Sequence, residues 1–322
     1  MFSNKAIYSL FALLLIQIFI LFSVISGYNS DTLNGLATVR EPVFNNISKS
    51  DIASETTVLQ TPVPSPVFFQ PPELSAHAYF IKIIGDERPL AAQREWKKLA
   101  PASLTKILTA LIAREELTQS EAIAISEYAK NTEDKRSPLQ AGDALWRDDL
   151  MRLVLIPSYN DAALALAEKV GERYGGITPD ERIEKFVGIM NKRAELLGLK
   201  NSSFKNPSGL DARGHEMNAE DIVRLAEYVW QNQRPLWDMT RTAEITIRSL
   251  SGIEMAVKNT NELLQEFPAL LGGKTGLTDN AKGTLLLFYP MRPDRIVIIV
   301  LLGSEDRFGD GRKIIQWLET VK

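Results

Sequence analysis

The sequence predicts an α+β domain whose antiparallel sheet is built from both ends of the domain and flanked by helices, with an all-helical subregion. Residues 76–84 have the pattern of a strand. Late in the chain, the apolar runs 284–289 and 296–302 predict a hairpin, because the segment 290–294 between them contains two prolines and an aspartate. Strands at both ends with helices between them are typical of the α+β class.

The middle of the domain has apolar residues at helical spacing, and its first and strongest helix is predicted to begin near Ser103. The apolar residues of this helix are Leu104, Ile107, Leu108, Leu111 and Ile112. Further helices are predicted over residues 148–170 (interrupted at Pro157), 186–197, 221–230 and 314–321.

The first 27 residues predict a membrane segment rather than part of the fold. Lys5 precedes an uncharged, almost wholly apolar run of 22 residues, 6–27, which is long enough to cross a bilayer as a helix. Positive charge on its N-terminal flank predicts a cytoplasmic N-terminus. We therefore expect a signal anchor that spans the cell membrane once, with the following domain extracytoplasmic. If the weak cleavage site at 24–26 is used, the domain is instead secreted.

Residues 28–75 predict a linker. They are rich in Ser, Thr and Asn, and prolines recur within 62–66 and at 71–72, a composition that favours extended conformations. The alternative for the C-terminal end of this segment is an irregular domain edge with a few docked residues. Residues 76–322 then form one domain.

Composition excludes several classes of function. Lys and Arg number 37 against 40 Asp and Glu, a formal net charge of -3, so we expect no nucleic-acid partner bound by phosphate neutralisation. The absence of cysteine excludes a thiolate nucleophile, disulfides and Cys-ligated metal. The two histidines, His77 and His215, lie far apart and outside any HExxH pattern. We therefore expect neither a metal nor a cofactor.

A serine activated by a lysine is compatible with these counts. Ser103 and Lys106 are three residues apart at the start of the strongest predicted helix, so they share one helix face. The N–H groups at this helix end favour developing negative charge, and a desolvated lysine amine can act as base. Ser-x-x-Lys is common by chance, however, and recurs at 202–205. The alternative for Ser103 is an ordinary helix cap.

Two further motifs strengthen the hypothesis of a nucleophilic serine. Ser-Tyr-Asn at 158–160 follows a proline that interrupts a helix, so its side chains can face a cleft. Lys-Thr-Gly at 274–276 precedes the predicted hairpin, and on an edge strand it offers a cation, a hydroxyl and an approachable backbone to a substrate carboxylate. Each motif alone is compatible with a cap or a solvated turn. Chance is a poor explanation for all three in this order.

With SxxK, SxN and KTG in this order, the chain resembles the serine penicillin-recognising enzymes, and within them the D-alanyl-D-alanine carboxypeptidases of bacterial cell-wall metabolism. The resemblance covers roughly residues 76–322 and implies a DD-peptidase/β-lactamase-like fold. Its implied partners are a peptidoglycan stem peptide and β-lactam antibiotics. The similar segments are 100–110, 142–145, 155–163, 190–191, 197–199, 204–211, 261–264 and 273–278.

The resemblance also implies three catalytic residues. Ser103 attacks the carbonyl of the penultimate D-alanine, and unprotonated Lys106 takes the serine proton. Ser158 relays a proton to the leaving amine. Water then hydrolyses the acyl-enzyme, so the implied activity is a serine-type D-Ala-D-Ala carboxypeptidase.

The substrate-binding residues follow from the same resemblance. Asn160 hydrogen-bonds the substrate backbone, while Lys274 and Thr275 hold the terminal carboxylate. Gly276 lets the substrate approach the strand, and the N–H of Leu277 joins that of the nucleophile in an oxyanion hole.

Some positions depart from the family pattern, among them Lys282, which stands where a small residue is common. Tyr159 replaces a residue that is often glycine in these carboxypeptidases, and we expect its ring to narrow the cleft or to form a stacking wall. Met217 and Asn218 stand where the family usually has Ser-Thr, and Asn218 is expected to cap the next helix.

Three other functions remain as alternatives. A DD-endopeptidase that cuts peptidoglycan crosslinks uses the same residues. A β-lactamase-like hydrolase needs a carboxylate that activates water, and Glu168, Glu181 and Glu184 all lack the Glu-x-x-Leu-Asn context of such enzymes. A catalytically dead, wall-binding module is the third, although the intact motifs argue against lost chemistry.

Overall fold

The computed structural model describes residues 70–132 and 137–321. The predicted membrane segment 1–27 and the predicted linker up to residue 69 lie outside the described residues. Within the described part, no helix combines the length and the apolar character needed to cross a membrane.

The described residues form a mixture of strands and helices, numbered here in chain order. The strands are β1 (Ala78–Ile83), β2 (Ala91–Gln93), β3 (Ala122–Ala124), β4 (Ala144–Trp146), β5 (Glu244–Arg248), β6 (Glu254–Lys258), β7 (Gly273–Thr278), β8 (Lys282–Arg292) and β9 (Arg295–Ser304). The α-helices are α1 (Thr105–Glu116), α2 (Glu127–Lys130), α3 (Arg147–Leu155), α4 (Asn160–Arg173), α5 (Pro179–Leu196), α6 (Ala219–Asn232), α7 (Pro235–Met239), α8 (Leu263–Glu266) and α9 (Arg307–Thr320).

The main sheet confirms the predicted α+β class. Its five strands run in the order β2-β1-β9-β8-β7, and every neighbouring pair is antiparallel. Two of these strands precede the helical region and three follow it, so both ends of the domain build the sheet as predicted. The predicted late hairpin is formed by β8 and β9.

The central strands β8 and β9 are apolar in their middle parts because both faces of the sheet are covered there. Successive residues of β8 point to opposite faces. Leu286 and Phe288 therefore belong to a large hydrophobic cluster shared with the helices between the strands. Leu285 and Leu287 belong to a second cluster shared with α9. A sheet buried on both faces explains the near-continuous apolar runs of the sequence.

The helical region lies between β2 and β7 in the chain and is centred on α1. The first nine residues of α1 are all buried, as expected for a helix that is packed on every side. The predicted interruption near Pro157 is confirmed, because α3 ends at Leu155 and α4 begins at Asn160.

Helix α5 begins seven residues before its predicted start at 186. A capping box stabilises its first turn, because the side chains of Thr178 and Glu181 each accept a hydrogen bond from the other's backbone N–H. Pro179 occupies the first helical position, which proline favours. The predicted cap of α6 is confirmed, since Asn218 Oδ1 accepts a hydrogen bond of 2.7 Å from Asp221 N.

Two small two-stranded sheets were not predicted. Strands β3 and β4 pair over three residues, and β5 and β6 pair over five. Both sheets have exposed residues on one face, so they lack the long apolar runs that revealed the main sheet.

The start of the domain is docked on its last helix. Ser75 N donates to Asp310 Oδ1 at 2.9 Å, and Ser75 Oγ donates to Asp310 Oδ2 at 2.8 Å. Ser304 Oγ donates to the same carboxylate at 2.7 Å. The last residue of the predicted linker is thus tied to α9 and to the end of β9.

We expect Asp310→Ala to lower the free energy of unfolding by about 3 kcal/mol, because it removes three hydrogen bonds to a buried carboxylate. Urea unfolding of residues 70–322 measures the change. Glu87→Ala, at an exposed carboxylate, is the control and should change the value by less than about 0.5 kcal/mol. Equal losses in the two variants would contradict the docking role of Asp310.

Candidate active site

Ser103 lies in a 3-10 turn, Ala102–Leu104, that leads directly into α1. Ala102 has a φ of +48° although it carries a Cβ, a conformation that costs about 1–3 kcal/mol and persists only where surrounding contacts impose it. Thr284 Oγ1 on β8 supplies one such contact by donating to Pro101 O at 3.1 Å. The sheet therefore holds the turn that presents the Ser103 hydroxyl.

Lys106 is fully buried and reaches back to the serine. Its Nζ lies 3.0 Å from Ser103 Oγ, 2.6 Å from Asn160 Oδ1 and 2.7 Å from Ser208 O, each within hydrogen-bond distance. Three separate segments of the chain therefore supply oxygens to one amine. The amine is thus held beside the Ser103 hydroxyl.

Ser158 and Lys274 form a second serine–lysine pair. Ser158 lies in the break between α3 and α4 with a φ of +67°. Lys274, on β7, is 1% exposed. Its Nζ donates to Ser158 Oγ at 2.8 Å and to Thr275 O at 2.9 Å. The left-handed conformation of Ser158 lets its hydroxyl meet the edge strand.

Strand β7 packs Gly276 directly against the nucleophile turn, the 3-10 turn Ala102–Leu104 that contains Ser103. A Cβ added at Gly276 would lie 2.8 Å from Ser103 N and 2.4 Å from Thr284 Oγ1, distances that a side chain cannot occupy. Next to it, the hydroxyls of Thr275 and Thr260 bond at 2.6 Å. Leu277 is 64% exposed. The edge strand thus passes the serine at backbone distance.

The structure therefore brings residues of all three motifs together. Ser103 and Lys106 are bonded to each other, Asn160 is bonded to Lys106, and Ser158 is bonded to Lys274. Thr275, Gly276 and Leu277 follow Lys274 on the same strand. The chance copy of Ser-x-x-Lys at 202–205 lies outside any helix, and Ser202 Oγ bonds Asp221 there.

The loop 206–209 belongs to the site, although sequence reasoning treated it only as a connecting segment. Asn206 Oδ1 accepts hydrogen bonds from Ser208 N, Ser208 Oγ and Gly209 N. A Cβ at Gly209 would lie 1.9 Å from Ala102 O. This loop therefore supports the nucleophile turn and presents the carbonyl of Ser208 to Lys106. The resemblance of 204–211 to the family was the available signal.

His215 contacts the start of α1, the helix that carries Lys106. It is buried, its Nδ1 accepts from Lys205 N at 3.2 Å, and its Nε2 lies 2.8 Å from Thr105 Oγ1. Because Nδ1 accepts, the neutral ring carries its proton on Nε2 and donates to Thr105. Burial lowers the pKa of His215 to about 4, with Asp211 opposing and Lys205 reinforcing the shift. A neutral histidine thus anchors the residue between Leu104 and Lys106.

The ring of Tyr159 does not form an exposed wall of the cleft, contrary to expectation. It is 8% exposed and belongs to the large hydrophobic cluster on the helical side of the sheet. Its position immediately before α4 places the ring in the core. The residue therefore contributes packing at the helix start that carries Asn160.

The three carboxylates considered for water activation lie elsewhere. Glu168, in the middle of α4, accepts from Ser126 Oγ at 2.5 Å, and burial raises its pKa. Glu181 completes the capping box of α5, and Glu184 is exposed on the same helix. Among the described residues, no group of three or more His, Cys, Asp or Glu side chains is placed to hold a metal ion.

Comparison with known proteins agrees with this architecture. A family model described as D-alanyl-D-alanine carboxypeptidase matches residues 66–305. The chain is 35% identical over 191 residues to the D-alanyl-D-alanine carboxypeptidase DacF of Bacillus subtilis, covering 58% of this chain and 46% of that protein. It therefore spans about half the length of that relative.

Two further relatives match over more of their own length. A D-alanyl-D-alanine endopeptidase of Pseudomonas aeruginosa is 30% identical over 231 residues, which cover 68% of this chain and 69% of that protein. The crystal structure of the Streptomyces K15 DD-transpeptidase superposes with a TM-score of 0.71 at 26% identity, covering 78% of this chain and 99% of that one. The α+β fold is thus that of the DD-peptidases.

We expect the buried histidine to make the fold acid-sensitive. Between the ordinary pKa of about 6.5 and the folded-state pKa of about 4, only the unfolded chain binds a proton at His215. The free energy of unfolding is therefore unaffected by this group above about pH 6.5. Below that pH, protonation of His215 in the unfolded chain lowers the free energy of unfolding, by about 3 kcal/mol at pH 4. Urea unfolding between pH 7 and pH 4 measures the slope.

The chain provides a matched control for this slope in its other histidine. His215→Gln should remove most of the histidine-dependent slope, whereas His77→Gln, at an exposed position, should retain it. If wild type and His215→Gln lose stability equally with falling pH, the assigned role of His215 is wrong.

Proposed function

The chain belongs to the D-alanyl-D-alanine carboxypeptidase family, and from its site geometry we propose that it removes the terminal D-alanine from peptidoglycan stem peptides. The observation that carries this proposal is the contact of 3.0 Å between Lys106 Nζ and Ser103 Oγ, which pairs a nucleophile with a base. β-Lactam antibiotics, which imitate the same dipeptide, acylate Ser103 in this proposal.

In the first step, Lys106 acts as a neutral amine whose two N–H groups donate to Asn160 Oδ1 and Ser208 O. Its lone pair takes the proton of the Ser103 hydroxyl while Oγ forms a bond to the carbonyl carbon of the penultimate D-alanine. The carbonyl oxygen becomes an oxyanion, which accepts hydrogen bonds from the N–H groups of Ser103 and Leu277. Gly276 supports this assignment, because its missing side chain lets the strand approach Ser103 N.

In the second step, the peptide C–N bond breaks and the leaving amine takes a proton from the Ser158 hydroxyl. Lys274 Nζ already donates to Ser158 Oγ, so the hydroxyl's own proton can point towards the leaving group. Ser158 in turn recovers a proton through the lysine amines. Water then attacks the acyl-enzyme with Lys106 as base, which releases the shortened peptide and restores Ser103.

The terminal carboxylate of the substrate binds at the edge strand in this proposal. Lys274 supplies positive charge and Thr275 a hydroxyl, both on β7. Asn160 binds the substrate backbone, and the hydrogen bond from Lys106 to its Oδ1 fixes the orientation of its amide. An edge strand also offers unpaired backbone groups to an extended peptide.

Covalent trapping tests the nucleophile. We expect residues 28–322, incubated with benzylpenicillin, to gain the mass of one penicillin, and Ser103→Ala to gain none, because the bond-forming atom is missing. Ser202→Ala removes the serine of the second Ser-x-x-Lys segment and should label like the wild type. Intact-mass spectrometry measures all three proteins.

The same variants test the reaction. Release of D-alanine from a peptide that ends in D-alanyl-D-alanine should fall by about a thousandfold or more in Ser103→Ala. Penicillin hydrolysis without a lasting adduct would instead favour the β-lactamase-like alternative. Binding to peptidoglycan that survives Ser103→Ala, without adduct or release, would favour the wall-binding module.

A DD-endopeptidase is the second candidate function, favoured by the relative of that name in Pseudomonas aeruginosa. Its reaction breaks a crosslink with the same Ser103 acyl-enzyme, and only the group that leaves is larger. Parallel digestion of pentapeptide monomers and crosslinked dimers separates the two functions. Dimer cleavage without D-alanine release from monomers would assign the endopeptidase.

We also propose that residues 1–27 anchor the protein in the cell membrane as a single span, with the catalytic domain outside the cytoplasm. The apolar run 6–27, with Lys5 on its N-terminal flank, supports the anchor. The proposed substrate supports the topology, because peptidoglycan lies outside the cytoplasmic membrane.

We expect the full chain to stay with membranes through an alkaline carbonate wash, because 22 uncharged residues span a bilayer. Leu14→Arg combined with Phe19→Arg should release it, since charges at the bilayer centre oppose insertion. Leu14→Ala combined with Phe19→Ala is the control and should remain bound. Release of the unmodified chain would refute the anchor, and a shortened product in the medium would establish cleavage and secretion.

A further inference from the structure

Strand β3 borders a cavity of about 290 Å3 that none of the proposed catalytic or substrate-binding residues lines. Other parts of its lining come from α4, between Ala165 and Glu172, and from Arg182 on α5. All three residues of β3 line it, although successive side chains of a strand point to opposite faces. The cavity therefore lies along the edge of β3. Its volume is near the lower end of the range for ligand sites, about 300–1,000 Å3, which suits one side chain and a short stretch of backbone.

The edge of β3 beside the cavity carries backbone groups without a protein partner. Glu121 O and Ile125 N, which flank β3, bond the segment that contains β4 at 2.9 and 2.7 Å. In an antiparallel pair, residues bonded across the strands alternate with residues that are not. The N–H and C=O groups of Ala122 and Ala124 therefore point away from β4, and within residues 70–132 and 137–321 nothing else bonds them. Such an edge is open to pairing with another extended chain.

The lining also includes a buried oxygen that lacks a partner. Glu168 is 5% exposed, and its Oε2 accepts the hydrogen bond from Ser126 Oγ. Its Oε1 is buried and has no hydrogen-bond partner in the part of the chain that the structure describes. A buried acceptor left without a donor is costly, more so when it is charged. A donor group placed in the cavity would remove this cost.

The charges of the lining favour an uncharged donor. The carboxylates of Glu168 and Glu172 are balanced there by Lys169 and Arg182. Glu172 pairs with both cations, with Lys169 at 2.8 Å and with Arg182 at 3.3 Å. An ammonium or a carboxylate on the ligand would upset this balance. A carboxamide supplies an N–H donor for Glu168 and a carbonyl oxygen for the cations without adding charge.

We propose that β3 is an interaction surface for an extended segment of a partner protein, which adds to its free edge as a strand and directs a carboxamide side chain towards Glu168. Main-chain hydrogen bonds give affinity in such strand addition, and side-chain pockets give specificity. This edge is short, so the carboxamide contact decides which segments bind. The inserted side chain lies opposite Ile123, which is buried, because directly opposite residues share one face of a sheet. The inference does not depend on the peptidase function.

Matched peptides test the surface on the full chain in detergent. The probe is an acetylated pentapeptide amide, Thr-Val-Gln-Val-Thr, and three further peptides carry leucine, glutamate or lysine in place of the glutamine. We expect the glutamine peptide to bind with a Kd on the order of 100 µM. The other three should bind about tenfold more weakly, because each lacks the donor or adds a charge. Isothermal titration calorimetry measures all four.

A change in the probe's own backbone tests strand addition directly. In the proposed pairing, the two valines lie opposite Ala122 and Ala124, and their N–H groups bond the edge of β3. N-methylation of both valines removes these donors and leaves every side chain in place. We expect the methylated peptide to show no saturable binding up to about 1 mM.

Two substitutions of one residue locate the binding at β3. Ala124→Pro removes an edge N–H that the sheet does not use, a position where proline is tolerated. Ala124→Thr keeps the N–H and is the matched control at this exposed position. We expect Ala124→Pro to weaken probe binding by about tenfold and Ala124→Thr to keep the wild-type Kd. Thermal unfolding establishes that both variants are folded.

A further pair of variants assigns the side-chain preference. Glu168→Ala should bring the ratio of the glutamine and leucine affinities close to one. Glu184→Ala, at an exposed carboxylate of α5, should keep the wild-type ratio. Each ratio compares two peptides on one protein, so a general loss of folded protein cancels.

Each part of the proposal has an outcome that overturns it. Absence of saturable binding by the glutamine peptide up to about 1 mM, or equal binding by its methylated form, would refute strand addition. Unchanged binding in Ala124→Pro would place the probe elsewhere and refute β3 as the surface. Equal affinities for glutamine and leucine in the wild type, or an unchanged ratio in Glu168→Ala, would refute the role of Glu168.

Discussion

The burial of the Lys106 amine is the constraint on which the rest of the site depends. A polar group without solvent is costly unless its hydrogen bonds are satisfied. Here Ser103, Asn160 and Ser208 each provide one oxygen. These oxygens belong to the turn before α1, to the start of α4 and to a loop after α5. Three distant segments must therefore converge on one atom.

Backbone strain and close contacts follow from that convergence. Ala102 and Ser158 adopt left-handed conformations in spite of their side chains, and Gly209 and Gly276 occupy positions where a Cβ would overlap the nucleophile turn. Strain of this kind persists where surrounding structure imposes it. The hydrophobic clusters on both faces of the sheet provide the rigid surroundings that maintain this strain, because close-packed interiors do not deform easily.

The functional groups of the site are amines and hydroxyls, and the nearby histidine and buried carboxylate do not add a charged group to it. His215 is neutral at pH 7 and serves Thr105 as a donor. Glu168, the buried carboxylate of α4, is engaged with Ser126 on the β3 side of the helix. Acylation by a serine whose base is a lysine matches this arrangement better than hydrolysis driven by a carboxylate-activated water.

Sequence alone determined the class of the fold, the central helix, the late hairpin and the order of the three motifs, because these depend on local periodicity and residue identity. The roles of Ser208 and His215 required the tertiary structure. Ser208 lies 102 residues after Lys106, and His215 lies 110 after Thr105. No local pattern encodes contacts across such separations. They exist only once the packed core brings helix starts, loop and edge strand to one point.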